Sequence, residues 1–119
     1  MPITKNTFQA LYDAIDARDW ETLPTFFDDQ IQYIRPGFDD INGLDVFCHF
    51  YANIRTKGIA SGAHSIQAVM HDGEQWMVFG RFVGVDPSGN PINTEFGDYF
   101  KAREGKFFFR KAYFHIPHI

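Results

Sequence analysis

The feature that most constrains this chain is a change of hydrophobic period about halfway along it. In the first half, apolar residues recur at helical spacing; in the second they fall in strand-like runs separated by turn residues. From Asn6 to Arg18, the side chains of Phe8, Leu11, Tyr12 and Ile15 share one face of an amphipathic helix, with Thr4, Asn6 or Thr7 available to cap its start. A second, shorter helix is predicted from about Trp20 to Phe27, with Asp19 as cap and Trp20, Leu23, Phe26 and Phe27 as its buried side. Ile31 to Arg35 reads as a short strand stopped by the turn signal Pro36-Gly37. After an acidic loop from Phe38 to Gly43, Leu44, Phe47, Tyr51 and Ile54 mark a third helix that stops near Lys57-Gly58.

Beyond that point, Ala63 to Asp72, Trp76 to Asp86, Ile92 to Ala102 and Lys106 to Ile116 are predicted strands. They are separated by His71 to Glu74, Asp86 to Pro91 and Arg103 to Gly105, all turn chemistry. Connections this short join antiparallel neighbours, so a meander is expected. Helices first and strands afterwards is the α+β order, in which the helices cover one face of a sheet. A chain of 119 residues fits one domain over 1–119, and 45% hydrophobic residues with fourteen Phe supply a core that excludes disorder.

The same composition narrows the function. A net charge of -4 with scattered Lys and Arg leaves no basic stripe for nucleic acid. Cys48 stands alone, which excludes an internal disulfide and a thiolate metal cluster and suits a reducing compartment. Met1 to Gln9 lacks the pattern of a leader and no run has membrane-spanning length, so a cytoplasmic location away from membranes is expected. Phosphate-loop, dinucleotide, nucleophile-elbow and zinc-protease motifs are absent, and neither a cofactor nor a metal is expected. His115 and His118 have metal-like spacing, but the intervening Pro117 favours a disordered tail. Gly84 and Gly89 read as turn or bulge glycines, and Asp28-Asp29 and Asp39-Asp40 as solvated loops.

Splitting each strand into its two faces locates the ionisable groups that break an apolar pattern. Arg81 shares a face with Met77, Phe79, Val83 and Val85; Asp98 and Thr94 share theirs with Ile92, Phe96 and Phe100; His64 shares its face with Ile66, Ala68 and Met70. If those three faces are the inward ones, Arg81 and Asp98 meet each other or a polar ligand, with His64 close by. One reading is a polar cluster in a hydrophobic pocket; the other is a structural ion pair with a packed histidine. Trp76, Phe82 and Tyr99, with Phe107, Phe109 and Tyr113, then form the other face, for which a second subunit is the expected cover.

Ala14 to Trp20, followed by Leu23 and Phe26 to Asp29, resembles the opening of the SnoaL-like, nuclear transport factor 2-like (NTF2-like) superfamily. Further matches follow in order at Pro36-Gly37, Ile41 to Leu44, Phe50-Tyr51, Ser61 to His64, Asp72-Gly73, Asp98 to Phe100, Gly105-Lys106 and Tyr113-Phe114. The resemblance implies a cone: three N-terminal helices on a strongly curved antiparallel sheet, with a central pocket and frequent homodimers. It places Asp98 where ketosteroid isomerases keep a protonated aspartic acid, Arg35 where they carry the general base, and Leu11 where they carry a donor tyrosine. Against the superfamily's epoxide hydrolases, Asp98 matches one position, Phe96 replaces the arginine and Ala112 the second carboxylate.

These residues give two expectations. In the first, the chain is an enzyme without cofactor that isomerises, cyclises or dehydrates a small oxygenated or anionic metabolite. His64 and Asp98 are the proton-transfer candidates, and Arg35, Arg81, Tyr33, Tyr113, Phe79 and Phe96 the ligand-binding set. In the second, it is a non-catalytic binding or dimeric scaffold protein in which Arg81 and Asp98 neutralise each other.

Overall fold

The computed structural model describes residues 2–114, so the His115 and His118 pair and the end of the last predicted strand lie outside the described residues. Helix α1 (Lys5–Asp16) starts at Thr4, which has extended dihedrals; Thr7 Oγ1 accepts the Thr4 N–H at 3.0 Å. Its buried side is Phe8, Leu11, Tyr12, Ala14 and Ile15, as the spacing predicts. The second predicted helix is only a 3-10 turn, Leu23–Phe26, because Phe27 already pairs with Phe107 in the sheet and opens β1 (Phe27–Ile34). Asp28 and Asp29 therefore sit in a strand rather than a loop, and the Asp28 carboxylate lies 3.5 Å from Arg103.

Strand β2 (Ile41–Asn42) leads into α2 (Leu44–His49), so the described residues hold two α-helices where three were expected. The third predicted helix is broken after His49 into a π turn, Phe50–Ile54, and a 3-10 turn, Arg55–Lys57. A π turn closes i→i+5 bonds and spends one extra residue, which rotates everything after it. The position expected to be buried, Ile54, is 38% exposed, and Arg55 takes its place inside at 7%.

Strands β3 (Ser61–Asp72), β4 (Gln75–Val85), β5 (Pro91–Arg103) and β6 (Lys106–Phe114) form the antiparallel meander that the turns predict. The full sheet has six strands in the order β2-β1-β6-β5-β4-β3. It is mixed rather than antiparallel throughout, because β1 runs parallel to β6, with Tyr33 opposite Arg110. No short turn joins those two strands, so nothing local forces them to oppose each other.

Two one-residue bulges decide which side chains face the helices. One falls at Gln67, between the pairs Ile66–Gly80 and Ala68–Phe79; the other falls at Phe108, between Lys101–Phe109 and Ala102–Phe107. An inserted residue reverses the alternation beyond it and bends the strand. His64 and Ile66 therefore face inward with Val69, while Ala68 and Met70 do not share their face. Phe107 turns inward although Phe109 and Tyr113 do not. Beside the first bulge the backbone of β4 is bare at Gly80, where a Cβ would meet the Ser65 carbonyl oxygen at 2.3 Å and the Phe96 ring at 2.7 Å. Gly84 likewise is a strand residue set against the Ser61 carbonyl rather than a turn glycine, whereas Gly89 does occupy a turn at φ 86.

The inward face of β4 is the one carrying Trp76, Val78 and Phe82, opposite to expectation; its glycines lie beneath the rings of Phe96 and Phe82 and thin out the apolar pattern. Phe8 of α1 stacks into this layer against Trp76, Phe100 and Phe107, with ring centroids 5.5, 5.1 and 5.3 Å away. Each such fully buried aromatic contributes about 1.5–3 kcal/mol relative to exposure. Among the described residues no helix is long and apolar enough to cross a membrane.

Candidate functional site

Between the helices and the inward face of the sheet lies a polar cluster enclosed by aromatic rings. Asp98, on β5, directs Oδ2 at two donors: the Tyr12 hydroxyl from α1 at 2.6 Å and Nη2 of Arg110 from β6 at 2.9 Å. Nη1 of Arg110 donates to the Tyr51 hydroxyl at 2.7 Å, and its guanidinium stands 4.5 Å over the ring of Tyr33. Tyr33 in turn accepts Nη1 of Arg35 at 2.8 Å. Arg35 is buried among the rings of Phe114, Phe50 and Phe38.

The pairing expected for Asp98 is therefore corrected. Its cation is Arg110, not Arg81, which lies on the outer face, donates to Asn93 at 2.6 Å and approaches Glu95 at 3.7 Å. Register explains this: Arg81 pairs with Glu95, whereas Asp98 faces Val78 on one side and Ala112 on the other. The phenol near Asp98 is also one residue along from the expected place, at Tyr12 rather than Leu11, because position 12 of α1 points at β5 while Leu11 is packed in the core.

A second polar pair closes the cluster near the end of α1. Asp16 Oδ1 lies 2.6 Å from Nδ1 of His64, and Oδ2 accepts the His64 backbone N–H at 2.8 Å. The imidazole stacks on Tyr12 with centroids 4.8 Å apart and contacts Phe82 and Phe96 at 4.7 and 5.3 Å. Burial lowers the His64 pKa below its ordinary 6.5, and Asp16 opposes that shift without cancelling it.

Electrostatics separates the buried tyrosines. Burial, reinforced by Asp98, holds the Tyr12 hydroxyl well above the usual phenol range. Burial acts on Tyr51 in the same direction, but the guanidinium groups of Arg110, Arg35 and Arg55 outweigh it and bring that phenol below its ordinary value. Among the described residues three buried side-chain atoms make no hydrogen bond: Asp98 Oδ1, Arg110 Nε and Arg55 Nε.

Of the residues singled out in the sequence, His64, Asp98, Arg35, Tyr33 and Phe96 come together in this interior. Arg81, Phe79 and Tyr113 do not; they occupy the outer face of the sheet, where they adjoin or line a shallow concavity shared with Met77 and Phe114. The sequence reading missed Tyr12, Asp16, Tyr51, Arg55 and Arg110 as polar members. Alternation backward from Ala112 puts Arg110 on the Asp98 face, and that signal was present; the π turn that brings in Arg55 left none. Among the described residues no three or more His, Cys, Asp or Glu side chains gather in a way that could hold a metal ion.

This arrangement of helices and curved sheet is shared with solved structures at low sequence identity. A nuclear transport factor 2-like protein of unknown function from Burkholderia pseudomallei K96243 is similar over 92% of this chain and 88% of that one, at 17% identity and a TM-score of 0.83. A hypothetical protein with a ketosteroid isomerase-like fold from Catenulispora acidiphila DSM 44928, in complex with trimethylamine, is similar over 93% and 86%, at 16% identity and 0.82. An M. tuberculosis LEH-like epoxide hydrolase is similar over 92% and 80%, at 16% identity and 0.77. No curated protein matches the chain by sequence. These likenesses establish the fold alone. The model of the SnoaL-like domain matches residues 8–109, which is most of the chain, and the chain therefore belongs to the SnoaL-like domain family.

Proposed function

We propose that this protein takes a small oxygenated metabolite into the interior of the cone and moves a proton on it, as a cofactor-independent isomerase, cyclase or dehydratase does. The observation that carries the reading is the Asp16–His64 pair. A carboxylate on Nδ1 fixes the ring orientation and leaves Nε2 as the basic nitrogen. The lowered pKa keeps that nitrogen unprotonated at neutral pH. Tyr51 is the matching donor: its oxygen accepts Arg110, its own proton has no acceptor among the described residues, and the surrounding guanidiniums make it more acidic. In this reading Asp98 holds Arg110 and Tyr12 in place instead of exchanging protons itself.

The test is hydrogen–deuterium exchange at carbons next to the carbonyl of a panel of cyclic ketones and 1,3-dicarbonyls, followed by proton NMR in D2O. His64→Ala should slow exchange by about 10²–10⁴-fold in a protein that, though less stable for losing a buried ring, still unfolds cooperatively well above the assay temperature. The wild-type rate should rise with pH, reach half its maximum below pH 6.5 and stay flat through neutrality, since the deprotonated imidazole is the active form. Equal rates in both proteins, or none above buffer, would sink the acid–base reading and favour the non-catalytic alternative, in which the Asp98–Arg110 ion pair is purely structural.

The outer sheet face is proposed as the contact with a second copy of the chain. Met70, Val83, Tyr113 and Phe79 are 56, 50, 48 and 38% exposed there, too much apolar area for a solvated face. The same face carries Arg81 and Glu95, opposite charges that a two-fold contact can match crosswise. Sedimentation at micromolar concentration should give a dimer, and Phe79→Glu with Val83→Glu should give a folded monomer. A wild-type monomer under those conditions rejects the contact.

A further inference from the structure

Arg55 is the least explained residue of the interior. A guanidinium is costly to bury without a carboxylate or several acceptors. Yet among the described residues Arg55 makes no ion pair, and its Nε is buried with no hydrogen bond at all. Its neighbours are ring faces: Tyr51 and Phe82, each 5.5 Å from the guanidinium carbon. The backbone makes this burial worse than it need be. A regular helix would leave the apolar side chain of Ile54 inside, whereas the π turn at Phe50–Ile54 exposes Ile54 and turns the cation in. A local distortion that exchanges a buried apolar side chain for a buried charge loses stability on both counts, which points to a role outside stability.

We propose that Arg55 is the anchor for a carboxylate, or for the oxygens of an enolate, on the ligand of this interior, an assignment that rests on the ligand-binding reading above. The free Nε is what selects this class. Nε together with one Nη forms a planar two-donor edge that matches the two oxygens of a carboxylate, and the ring faces of Tyr51 and Phe82 beside it suit a flat, delocalised anion better than a tetrahedral one. Phe82 connects the anchor to the base, since its ring touches the His64 imidazole at 4.7 Å and the Arg55 guanidinium at 5.5 Å. A ligand held by its carboxylate at Arg55 thus has its neighbouring carbons on the side of the cluster that holds His64, one ring away across Phe82. Burial has lowered the Arg55 pKa to about 10, which an arriving anion would reverse.

The probe is benzoate at constant ionic strength, with benzamide as a neutral molecule of the same shape. Benzoate should shift the Arg55 Nε–H resonance in a saturable way and raise the melting temperature, and benzamide should do neither. Arg55→Met should weaken benzoate binding by about tenfold or more and should melt at the wild-type temperature or above, because a buried unpaired cation is replaced by an apolar chain. The proposal is overturned if the Arg55 resonance ignores benzoate, if benzamide shifts it equally, or if Arg55→Met binds benzoate as wild type does. A large fall in melting temperature for Arg55→Met, marking the guanidinium as a structural group, also overturns it. His64→Ala should keep the benzoate response. No ketone exchange above buffer in the wild type, with its benzoate response intact, would reject the base and keep the anchor, and wild-type exchange without a benzoate response would do the reverse.

Discussion

Asp98→Ala should destabilise the protein by about 3–5 kcal/mol in chemical denaturation, the range for removing one partner of a buried ion pair. The loss is large because Arg110 is buried and Asp98 is its sole carboxylate among the described residues, so the variant keeps an uncompensated guanidinium in the core. Tyr12 loses its acceptor in the same step, and its hydroxyl has no other hydrogen bond among the described residues. A fall of this size is a large share of the 5–15 kcal/mol that typical domains possess. The control is the double variant Asp98→Leu with Arg110→Met, which removes both charges and should recover much of the loss. If Asp98→Ala alone unfolds at the wild-type denaturant midpoint, the pair is not the clamp described here, and Asp98 returns as a proton-transfer candidate.

Gly80→Ala is expected to cost about 1–3 kcal/mol or more, although it adds one methyl group in a strand. Its Cβ would stand 2.3 Å from the Ser65 carbonyl oxygen, a backbone atom in the paired strand that cannot swing aside, and 2.7 Å from the ring of Phe96. To relieve the clash, β3 and β4 must separate beside the bulge at Gln67, which is where the sheet bends to enclose the polar cluster. The variant should therefore also disturb His64, two residues from Ile66 on the same strand, and show it as a changed imidazole resonance. Near-wild-type stability together with an unmoved His64 would show that the sheet absorbs a methyl here and that its curvature does not depend on this glycine.

The two variants test different links between sequence and site. The candidate site was legible where it depended on residue type within a strand: His64, Asp98, Arg35, Tyr33 and Phe96 each break or complete a local pattern, and each lies inside. It was illegible where it depended on phase. Arg81 and Arg110 are both arginines in apolar strands, and the alternation that sides Arg110 with Ala112 tells which one faces the helices only once the register of β5 against β6 is known. Likewise Asp16 reads as the polar end of an amphipathic helix until β3 brings the His64 ring within 2.6 Å of it.

The sequence by itself determined the α+β class, helix α1, the antiparallel meander from β3 to β6 and the aromatic supply of the core, because capping, turn chemistry and hydrophobic period act within a few residues. Only the tertiary structure decided the inward face of β4, the parallel pairing of β1 with β6, the partner of Asp98 and the burial of Arg55. The last two turn on a single residue of register: the bulge at Phe108 reverses the alternation of β6, and the π turn advances a helix by one position. Such a shift gains nothing locally. It is selected by the packing of rings on the far side of the chain, Phe96 over Gly80 and Phe82 against His64, which a local pattern does not contain.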